Sequence, residues 1–334
     1  MPSSSLAAPL DVELRPDRPA VLRVDPPADP AAWAAEYREA LRAQVTEHGA
    51  LLVRGLGLQE TDQVGAVFAR LAGDLLPERE AFAPREAHGP GLYSSTPWPA
   101  NQPMCMHHEL SYPLQVPGLL LFACLTAPEE GGATAVADAA DVLAALPAEL
   151  TERFEQEGWL LTRTYNEEIG ASLAESFGTE DRDAIERYCR ANAIDFTWQP
   201  DGSLHTEQRR CAVVRHPVTG RRCWFNQIAF LNEWTLAPEV REYLVDEYGA
   251  DGLPFNTRYG GGGAIPEDVV QRLNETYEEH TRREPWQAGD LMLVDNIGTA
   301  HSREPFTGDR RILVGMAEPR RPADSCPTGE ASRR

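Results

Sequence analysis

The chain has 334 residues, of which 42% are hydrophobic and 25% are charged, enough for a large buried core. Its 31 lysines and arginines against 52 aspartates and glutamates leave a net charge of −21. This charge argues against nucleic acid and an anionic membrane surface as partners, because both are bound through a basic face. No apolar run approaches the roughly 20 residues that a membrane-spanning helix needs.

The amino-terminal segment and the cysteines bear on location. Residues 1–10 lack the basic and apolar regions of a signal peptide. The six cysteines are scattered, with no CxxC or CxxxC pair, which is typical of reduced thiols inside cells. We therefore expect a cytoplasmic protein.

The two ends of the chain differ from its body. Residues 1–15 and 321–334 are polar and contain prolines and serines, so we predict a flexible amino terminus and a flexible carboxy-terminal tail. No linker-like or repeated segment interrupts the stretch between them. The sequence therefore predicts a single domain over 16–320.

The first half of the chain alternates helices with short strands. A helix is predicted over 29–47, with Asp29 as its N-cap, Pro30 at its first position and Gly49 at its end. Further predicted elements, in chain order, are a strand over 50–54, a helix over 61–71, strands over 119–124 and 134–137, and a helical stretch over 139–156 that breaks near Pro147.

The second half is richer in strands. Strand-like runs lie at 159–165, 211–216, 223–226, 291–294 and 311–316, and helices are predicted at 181–192, 237–246 and 266–282. This pattern predicts an α+β fold with a mainly β core, either a β-barrel or a jelly roll (double-stranded β-helix), with flanking helices. A doubly wound nucleotide-binding sheet is disfavoured, because neither GxGxxG nor a Walker A motif occurs. We interpret the glycine run at 259–263 as a loop near a substrate entrance.

Two His-x-Glu patterns are candidates for part of a metal site, His107–Glu109 and His205–Glu207. Residues i and i+2 of a strand face the same side, so such a pair can bind one ion together. Roughly one such pair is expected by chance, so the context has to decide. His205 lies in a polar, turn-like stretch and is interpreted as a surface residue, whereas His107 lies in a less polar stretch.

The far end of the chain supports His107. An apolar strand over 291–294 leads to His301, and another begins at Arg311. Two histidines and one carboxylate leave three positions of an octahedral metal open, which suits Fe(II) with a bidentate ligand and dioxygen. An arginine on the next strand can bind the remote carboxylate of a dicarboxylate through charge-assisted hydrogen bonds.

These residues resemble the Fe(II)/2-oxoglutarate-dependent oxygenases of the taurine dioxygenase (clavaminate synthase-like) superfamily, over about residues 48–319. The stretches that carry the resemblance are Gly289-Asp290, Asp295-Asn296, 301–303, 308–313, His107-x-Glu109, 131–134, Ala137-Asp138, 93–96 and 224–227. The branch it resembles most is the SyrP-like branch, whose members hydroxylate amino acids, often while these are tethered to carrier proteins.

The resemblance implies roles for particular residues. The implied iron ligands are His107, Glu109 and His301. Arg311, helped by the hydroxyl of Thr134, is the implied partner of the remote carboxylate of 2-oxoglutarate. Arg310 is the alternative, because a one-residue shift of the alignment exchanges the two and strand alternation lets only one point inward. His108 is expected to face away from the metal.

The chain departs from the common superfamily pattern at two positions. Glu109 replaces the usual aspartate, as in the SyrP-like branch, and its retained carboxylate disfavours halogenation. Some members carry a second arginine four residues after the clamp. Gly315 takes that position here, so a sulfonate substrate such as taurine is disfavoured.

The implied activity is hydroxylation of an aliphatic C–H of an amino acid or amino-acid-derived substrate, free or tethered to a carrier protein. Natural-product or antibiotic biosynthesis is the implied setting, and Fe(II), 2-oxoglutarate and O2 are the implied cofactors. Desaturation, epoxidation or cyclisation with the same cofactors stay open, as does a non-catalytic binding barrel. A zinc hydrolase is disfavoured because HExxH is absent.

Four residues are candidates for substrate binding: Arg163, Asn226, Gln227 and Ser94. Arg163 lies on a strand that resembles a pocket-lining strand of the family, with a surface arginine as the equal alternative. Asn226 and Gln227 end a strand beside aromatic residues. Ser95 and Gln102 are weaker candidates.

Overall fold

The computed structural model describes residues 10–166 and 168–322 of the chain. Within them, strands form the centre and helices surround it. The helices are α1 (Pro30–His48), α2 (Thr61–Ala72), α3 (Ala139–Ala145), α4 (Ala148–Glu157), α5 (Leu173–Phe177), α6 (Arg182–Ala191), α7 (Pro238–Tyr248) and α8 (Glu267–Glu279). A 3₁₀ turn lies at Glu233–Thr235.

The strands are numbered in chain order. They are β1 (Val12–Glu13), β2 (Ala20–Arg23), β3 (Ala50–Arg54), β4 (Ala87–Gly89), β5 (Leu92–Ser94), β6 (Met104–His107), β7 (Val116–Thr126), β8 (Glu130–Gly131), β9 (Val136–Asp138), β10 (Trp159–Tyr165), β11 (Asp195–Trp198), β12 (Leu204–Arg210), β13 (Val213–Arg215), β14 (Arg222–Trp224), β15 (Phe255–Tyr259), β16 (Leu291–Asp295), β17 (Thr299–Arg303), β18 (Phe306–Thr307) and β19 (Arg311–Arg320).

Two sheets form the core of the molecule. The larger has the strand order β1-β2-β3-β16-β7-β19-β5-β4, and the smaller has the order β6-β17-β9. Their side chains meet, and the rings of Phe122 on β7 and His301 on β17 lie 5.4 Å apart. Two packed sheets with flanking helices confirm the predicted jelly roll with a mainly β core.

Strand β7 is buried along most of its length because it packs on both faces. Leu120 and Phe122 belong to the apolar core that reaches the smaller sheet, whereas Leu119 and Leu121 pack with the residues of α1 and α2. Successive side chains of a strand point to opposite faces, so both faces need apolar residues here. This explains why the segment is a continuous apolar run in the sequence.

Helix α1 begins and ends where the sequence predicts. The Asp29 carboxylate accepts hydrogen bonds from the backbone N–H groups of Ala31 and Ala32, at 2.9 and 3.0 Å. Gly49 ends the helix at φ 78°, and a Cβ there would lie 2.3 Å from Oγ1 of Thr299. Only glycine combines this backbone conformation with so close an approach.

A separate four-stranded sheet, β11-β12-β10-β15, lies with α5 and α6 around its own apolar cluster. His205 lies on β12, so the turn-like interpretation of its stretch is wrong. Pairing with β10 on one side and β11 on the other orders this polar segment as a strand. The His205 side chain is partly exposed, with Nε2 3.6 Å from Oε1 of Glu207.

The described part of the chain begins before the predicted start of the domain at residue 16. The sheet starts earlier than residue 16, because Val12 and Glu13 pair with β2. Residues 1–9 and 323–334 lie outside the described part, so flexible ends stay a prediction.

Four cysteines carry free thiols, whereas Cys211 is disulfide-bonded, which corrects the expectation of reduced thiols throughout. No helix in the described residues is long and apolar enough to cross a membrane.

Candidate metal centre and co-substrate pocket

Three buried side chains meet between the two core sheets. His107 ends β6, Glu109 follows two residues later, and His301 lies on β17 directly opposite His107. One potential ligand atom from each lies within 4.8 Å of the other two. Because β6 ends at His107, the two-residue spacing of His107 and Glu109 spans the end of the strand and does not lie within it. The pairing of β6 with β17 brings the distant histidine to the His-x-Glu pair.

The protonation states of these groups suit a divalent metal. Burial lowers the pKa of His107, and burial together with the neighbouring imidazoles lowers the pKa of His301 well below its usual range. Burial alone would raise the pKa of Glu109, but Arg85 and His107 outweigh it, so the pKa falls. Two neutral imidazoles and one carboxylate are therefore present, which is the donor set of a facial triad.

The orientation of His107 is fixed on two sides. Its Nδ1 donates to the backbone oxygen of Cys105 at 2.8 Å, which leaves Nε2 available for a metal. The ring of Phe230 stacks on the imidazole, with centroids 4.5 Å apart and planes at 18°. His108 faces away, as expected, and its Nδ1 donates to the backbone oxygen of Asn296 at 2.6 Å.

A small pocket, partly open to solvent, adjoins the three side chains. Its walls are apolar at Met104, Phe122, Ile312 and Val314, and polar residues lie among them. The lining also includes three arginines, at positions 85, 303 and 310. An apolar pocket with a few convergent charged groups is typical of a small-molecule site.

The structure separates the two candidate arginines. Arg310 lines the pocket together with Ile312 and Val314, as alternation along the strand requires. Arg311 lies on the opposite face, is exposed, and donates to Oγ1 of Thr61 at 2.9 Å. The first-choice residue of the sequence is therefore not brought to the pocket, whereas the alternative is.

Arg310 is fixed in the pocket without a carboxylate partner among the described residues. Its Nε donates to the backbone oxygen of Gly132 at 2.9 Å, and its terminal nitrogens lie 3.4 Å from Oγ1 of Thr134 and 3.5 Å from Oγ of Ser95. Burial lowers its pKa to about 10, and no carboxylate among the described residues forms an ion pair with it. A partly buried guanidinium without a counter-ion among the described residues favours an anionic ligand.

Counting from Arg310 also moves the position that some relatives fill with a second arginine. Four residues later is Val314, which lines the pocket, and not Gly315. Gly315 faces α2, where an added Cβ would lie 2.6 Å from Cδ2 of Phe68. The position is apolar in either register, so the argument against a sulfonate substrate is unchanged.

The four substrate candidates do not line the pocket. The buried guanidinium of Arg163 donates to the backbone oxygens of Glu80 and Ala81, at 2.7 and 2.9 Å. Asn226 donates to the backbone oxygen of Ala212, and Oγ of Ser94 is bonded to His88 at 2.7 Å. Gln227 is buried apart from the pocket. The polar groups of Arg163, Asn226 and Ser94 bond within the fold, whereas Oε1 of Gln227 is buried without a hydrogen-bond partner among the described residues. The structure therefore does not bring these four candidates to the pocket.

Two weaker candidates and the glycine run also have defined positions. Ser95 lines the pocket, whereas Gln102 contributes only its backbone oxygen to Arg303, at 2.6 Å. The glycine run packs against the end of α4, because the N–H of Gly260 donates to the backbone oxygen of Gly158 at 3.0 Å. The predicted entrance loop is therefore not part of the pocket wall.

No feature of the sequence indicates a role for Arg85. This residue lies in the irregular segment before β4, and its side chain is 4% exposed. Its Nη2 lies 2.9 Å from Oε2 of Glu109, and its Nε donates to Oγ1 of Thr96 at 2.9 Å. No periodic pattern or motif marks an arginine in such a segment, so only the fold reveals the contact.

Comparison with known proteins identifies the family. Residues 13–317 match the family described as taurine catabolism dioxygenase TauD, TfdA family. The chain belongs to the TauD/TfdA family. It is therefore an oxygenase that uses Fe(II), 2-oxoglutarate and O2 and acts on a small molecule.

Relatives of this TauD-family oxygenase agree in sequence and in fold. The dapdiamide synthesis protein DdaC of Enterobacter agglomerans is 35% identical over 275 residues, 82% of this chain and 84% of DdaC. A clavaminate synthase-like protein of Arabidopsis thaliana is 27% identical, over 81% of this chain and 82% of its own. A taurine dioxygenase structure from Burkholderia xenovorans has a TM-score of 0.53 at 18% identity, over 92% and 89% of the two chains.

Proposed function

We propose that this TauD-family oxygenase hydroxylates an aliphatic C–H of an amino acid or amino-acid-derived substrate in natural-product biosynthesis. The observation that carries the proposal is the meeting of His107, Glu109 and His301 with Arg310 at one pocket. A metal triad and an unpaired arginine at the same cavity are the two requirements for a metal-chelating dicarboxylate.

In this proposal His107, Glu109 and His301 hold the iron. Both imidazoles are neutral and Glu109 is ionised, so no proton has to be lost before the metal binds. The bound iron supplies the activation of O2, coupled to decarboxylation of 2-oxoglutarate to succinate. Fe(II) carries two positive charges and Glu109 supplies one negative charge. The site would therefore keep a net positive charge, which favours binding of the anionic end of a keto acid.

Arg310 and Thr134 bind the remote carboxylate of 2-oxoglutarate. The terminal nitrogens of Arg310 have only long contacts to hydroxyl oxygens, so they are available for a bidentate pair. Oγ1 of Thr134 accepts from Nε1 of Trp286 at 3.2 Å, which leaves the hydroxyl proton of Thr134 free to donate to the same carboxylate.

The apolar walls place the reacting carbon and exclude water. Phe122, Ile312 and Val314 come from the larger sheet and are nearly fully buried. A dry wall around the metal limits side reactions of a reactive centre. These residues offer no charge to a substrate side chain, which supports an aliphatic group as the part that is oxidised.

The proposed biosynthetic setting is supported by DdaC, which is more similar in sequence to this chain than the Arabidopsis protein is. DdaC is named for dapdiamide synthesis, and it matches 82% of this chain. We propose a biosynthetic role here on that basis. An amino acid in free form and one bound to a carrier protein are the two forms of substrate to be compared.

The first experiment tests the metal and the co-substrate together. Anaerobic addition of Fe(II) and 2-oxoglutarate to the purified chain is expected to give a visible metal-to-ligand charge-transfer band. The band is expected to disappear in His301→Ala. His205→Ala is the matched control, because His205 also belongs to a His-x-Glu pair but lies on β12 with a partly exposed side chain. A band that survives in His301→Ala contradicts the assignment.

The second experiment identifies the outcome of the reaction. Succinate release is measured with a panel of amino acids, each offered free and carrier-bound. Mass analysis of the product is expected to show the gain of one oxygen atom. Loss of two hydrogens without added oxygen indicates desaturation or cyclisation and contradicts hydroxylation.

A further inference from the structure

A short stretch of chain, residues 97–103, crosses between the two core sheets at one end of the pocket. This crossing segment connects β5 of the larger sheet with β6 of the smaller one. Ser95 and Thr96 before it and Met104 after it line the pocket, whereas no residue of the crossing segment does. Because the pocket lies between the two sheets, a connection from one sheet to the other closes one side of it.

The crossing segment is not part of a strand or a helix. Its three prolines, at positions 97, 99 and 103, have no N–H group to donate to a neighbouring strand. A turn at its centre is closed by a hydrogen bond from the N–H of Gln102 to the backbone oxygen of Pro99, at 3.1 Å. The other backbone oxygens of such a stretch need donors from elsewhere in the molecule.

Arg303 supplies donors to the crossing segment. Its Nη1 donates to the backbone oxygen of Trp98 at 3.0 Å, and its Nη2 donates to those of Pro99 and Gln102, both at 2.6 Å. The side chain is buried and lines the pocket. Burial alone lowers the pKa of its guanidinium, and no carboxylate among the described residues forms an ion pair with it. Arg303 thus fixes three points of the crossing segment to β17, two residues after His301.

Phe306 links the crossing segment to Arg310. The N–H of Phe306 donates to the backbone oxygen of Ala100 at 2.9 Å. The guanidinium carbons of Arg303 and Arg310 lie 5.1 and 5.7 Å from the centre of the Phe306 ring. Both distances are within the range of a cation–π contact. The end of the pocket that the crossing segment closes is therefore the end where Arg310 lies.

We propose that Arg303 is a positioning residue that holds the crossing segment in place and so keeps this end of the pocket closed around the remote carboxylate of 2-oxoglutarate. The inference rests on the proposed function, specifically on Arg310 as the partner of that carboxylate. It assigns Arg303 no contact with 2-oxoglutarate or substrate. Its consequence is that loss of Arg303 loosens the crossing segment and weakens binding of 2-oxoglutarate but spares binding of the metal.

The test measures binding and local mobility in the full chain. Mn(II) is titrated first, and 2-oxoglutarate is then titrated into the Mn(II)-loaded protein. Arg303→Gln is expected to keep its affinity for Mn(II) and to lose about tenfold in affinity for 2-oxoglutarate, because binding then has to order the crossing segment. Hydrogen exchange of the backbone N–H groups in 97–103, followed by mass spectrometry, is expected to become faster. Unchanged exchange, unchanged 2-oxoglutarate affinity, or equal losses of affinity for Mn(II) and 2-oxoglutarate overturn the inference.

Arg303→Lys separates the holding of the crossing segment from the effect of charge, since a positive charge near Arg310 by itself attracts an anion. Lysine keeps the charge but donates from a single point, so it cannot bind the same three oxygens together. Fast exchange and a loss of 2-oxoglutarate affinity close to that of Arg303→Gln are expected. Full affinity in Arg303→Lys with fast exchange would show that charge alone matters, and overturns the inference. This variant also keeps the test decisive if Arg303→Gln does not fold.

Arg210→Gln is the matched control for the loss of a backbone-bound arginine. Arg210 donates to the backbone oxygens of Asn192 and Ala193, at 3.0 and 3.2 Å, and does not line the pocket. This variant is expected to lose stability without a change in 2-oxoglutarate affinity or in exchange over 97–103. An equal fall in affinity in Arg210→Gln overturns the inference. Failure of the proposed function is read separately, from unsubstituted Mn(II)-loaded chain that does not bind 2-oxoglutarate or binds it no better than Arg310→Gln.

Discussion

The side-chain amide of Asn296 forms a two-point hydrogen bond with the backbone of Glu109. Its Oδ1 accepts from the N–H of Glu109 at 2.8 Å, and its Nδ2 donates to the backbone oxygen of Glu109 at 2.9 Å. The same Nδ2 donates to the backbone oxygen of Pro117 at 2.8 Å. One fully buried residue after β16 thus fixes the chain at the point where the candidate metal carboxylate projects.

Asn296→Ala is expected to lower both stability and metal affinity. The substitution leaves the buried backbone groups of Glu109 without partners, which costs about 2–4 kcal/mol of unfolding free energy. It also frees the Glu109 backbone, so Mn(II) affinity is expected to fall about tenfold. Chemical denaturation and Mn(II) titration measure the two effects.

Asn232→Ala is the matched control for that substitution. Asn232 is equally buried, and its Nδ2 donates to Oγ1 of Thr257 at 2.8 Å, away from the metal centre. We expect a comparable loss of stability with unchanged Mn(II) affinity. If both variants lose stability and neither loses affinity for Mn(II), Asn296 serves the fold alone.

Substitution of the two adjacent arginines tests the co-substrate site. Arg310→Gln removes the charge-assisted hydrogen bonds proposed for the remote carboxylate, so 2-oxoglutarate affinity is expected to fall by about 100-fold or more. Arg311→Gln removes only a surface contact with Thr61, so the affinity is expected to stay within about twofold. Titration of 2-oxoglutarate into Mn(II)-loaded protein checks both, and the reverse order of effects would restore Arg311 as the clamp.

Arg163→Met distinguishes a structural from a substrate-binding role. The backbone oxygens of Glu80 and Ala81 each lose one of two donors in this variant and keep the hydroxyls of Tyr112 and Ser176, so the expected cost is about 1–3 kcal/mol of stability. Urea denaturation measures the loss. Unchanged stability, combined with a raised KM for the substrate once it is identified, would argue that Arg163 reaches the substrate after all.

The stability of the chain is expected to depend on pH through Asp295. Burial would raise the pKa of this carboxyl, but the contact with His216 at 2.8 Å and the N–H groups of Ile297 and Gly298 outweigh it, so the pKa is lowered. A lowered pKa in the folded state means that the stabilisation is complete above about pH 4 and is lost as the pH falls further.

Asp295→Asn provides the measurement for this dependence. The variant is expected to be less stable than the unsubstituted chain by about 1–2 kcal/mol at pH 7, since the charge-assisted bonds are weakened. The difference is expected to shrink as denaturation is repeated from pH 5 towards pH 3. A difference that stays constant over that range would show that the ionised form of Asp295 contributes nothing.

Local signals in the sequence were sufficient for the capped helices and for the apolar strands. The cap of α1 depends on residues within three positions of Asp29, and the two-sided burial of β7 is visible as an apolar run. His107 and Glu109 are two residues apart, and His301 follows a strand too apolar to be anything but buried. The cap and the apolar run need only near neighbours, whereas the triad joins distant segments and was implied by the family resemblance.

The polar residues around the centre could not be assigned in the same way. Arg163, Asn226 and Ser94 have suitable chemistry, but their partners are backbone or side-chain groups far along the chain or in adjoining loops. A polar side chain in a strand can serve the fold or a ligand equally well. Which of the two the side chain serves depends on what packs against its face of the strand in the folded protein.

By itself, then, the sequence determined a mainly β core and the boundaries of its capped helices, and its resemblance to the oxygenase superfamily implied the three candidate metal ligands. Only the tertiary structure decided that Arg310 and not Arg311 faces the pocket, because that depends on which face of β19 covers the core. It alone revealed the contacts of Glu109 with Arg85, 24 residues away, and with Asn296, 187 residues away. Such contacts join segments with no shared periodicity, so only the packing of the sheets and the segment before β4 creates them.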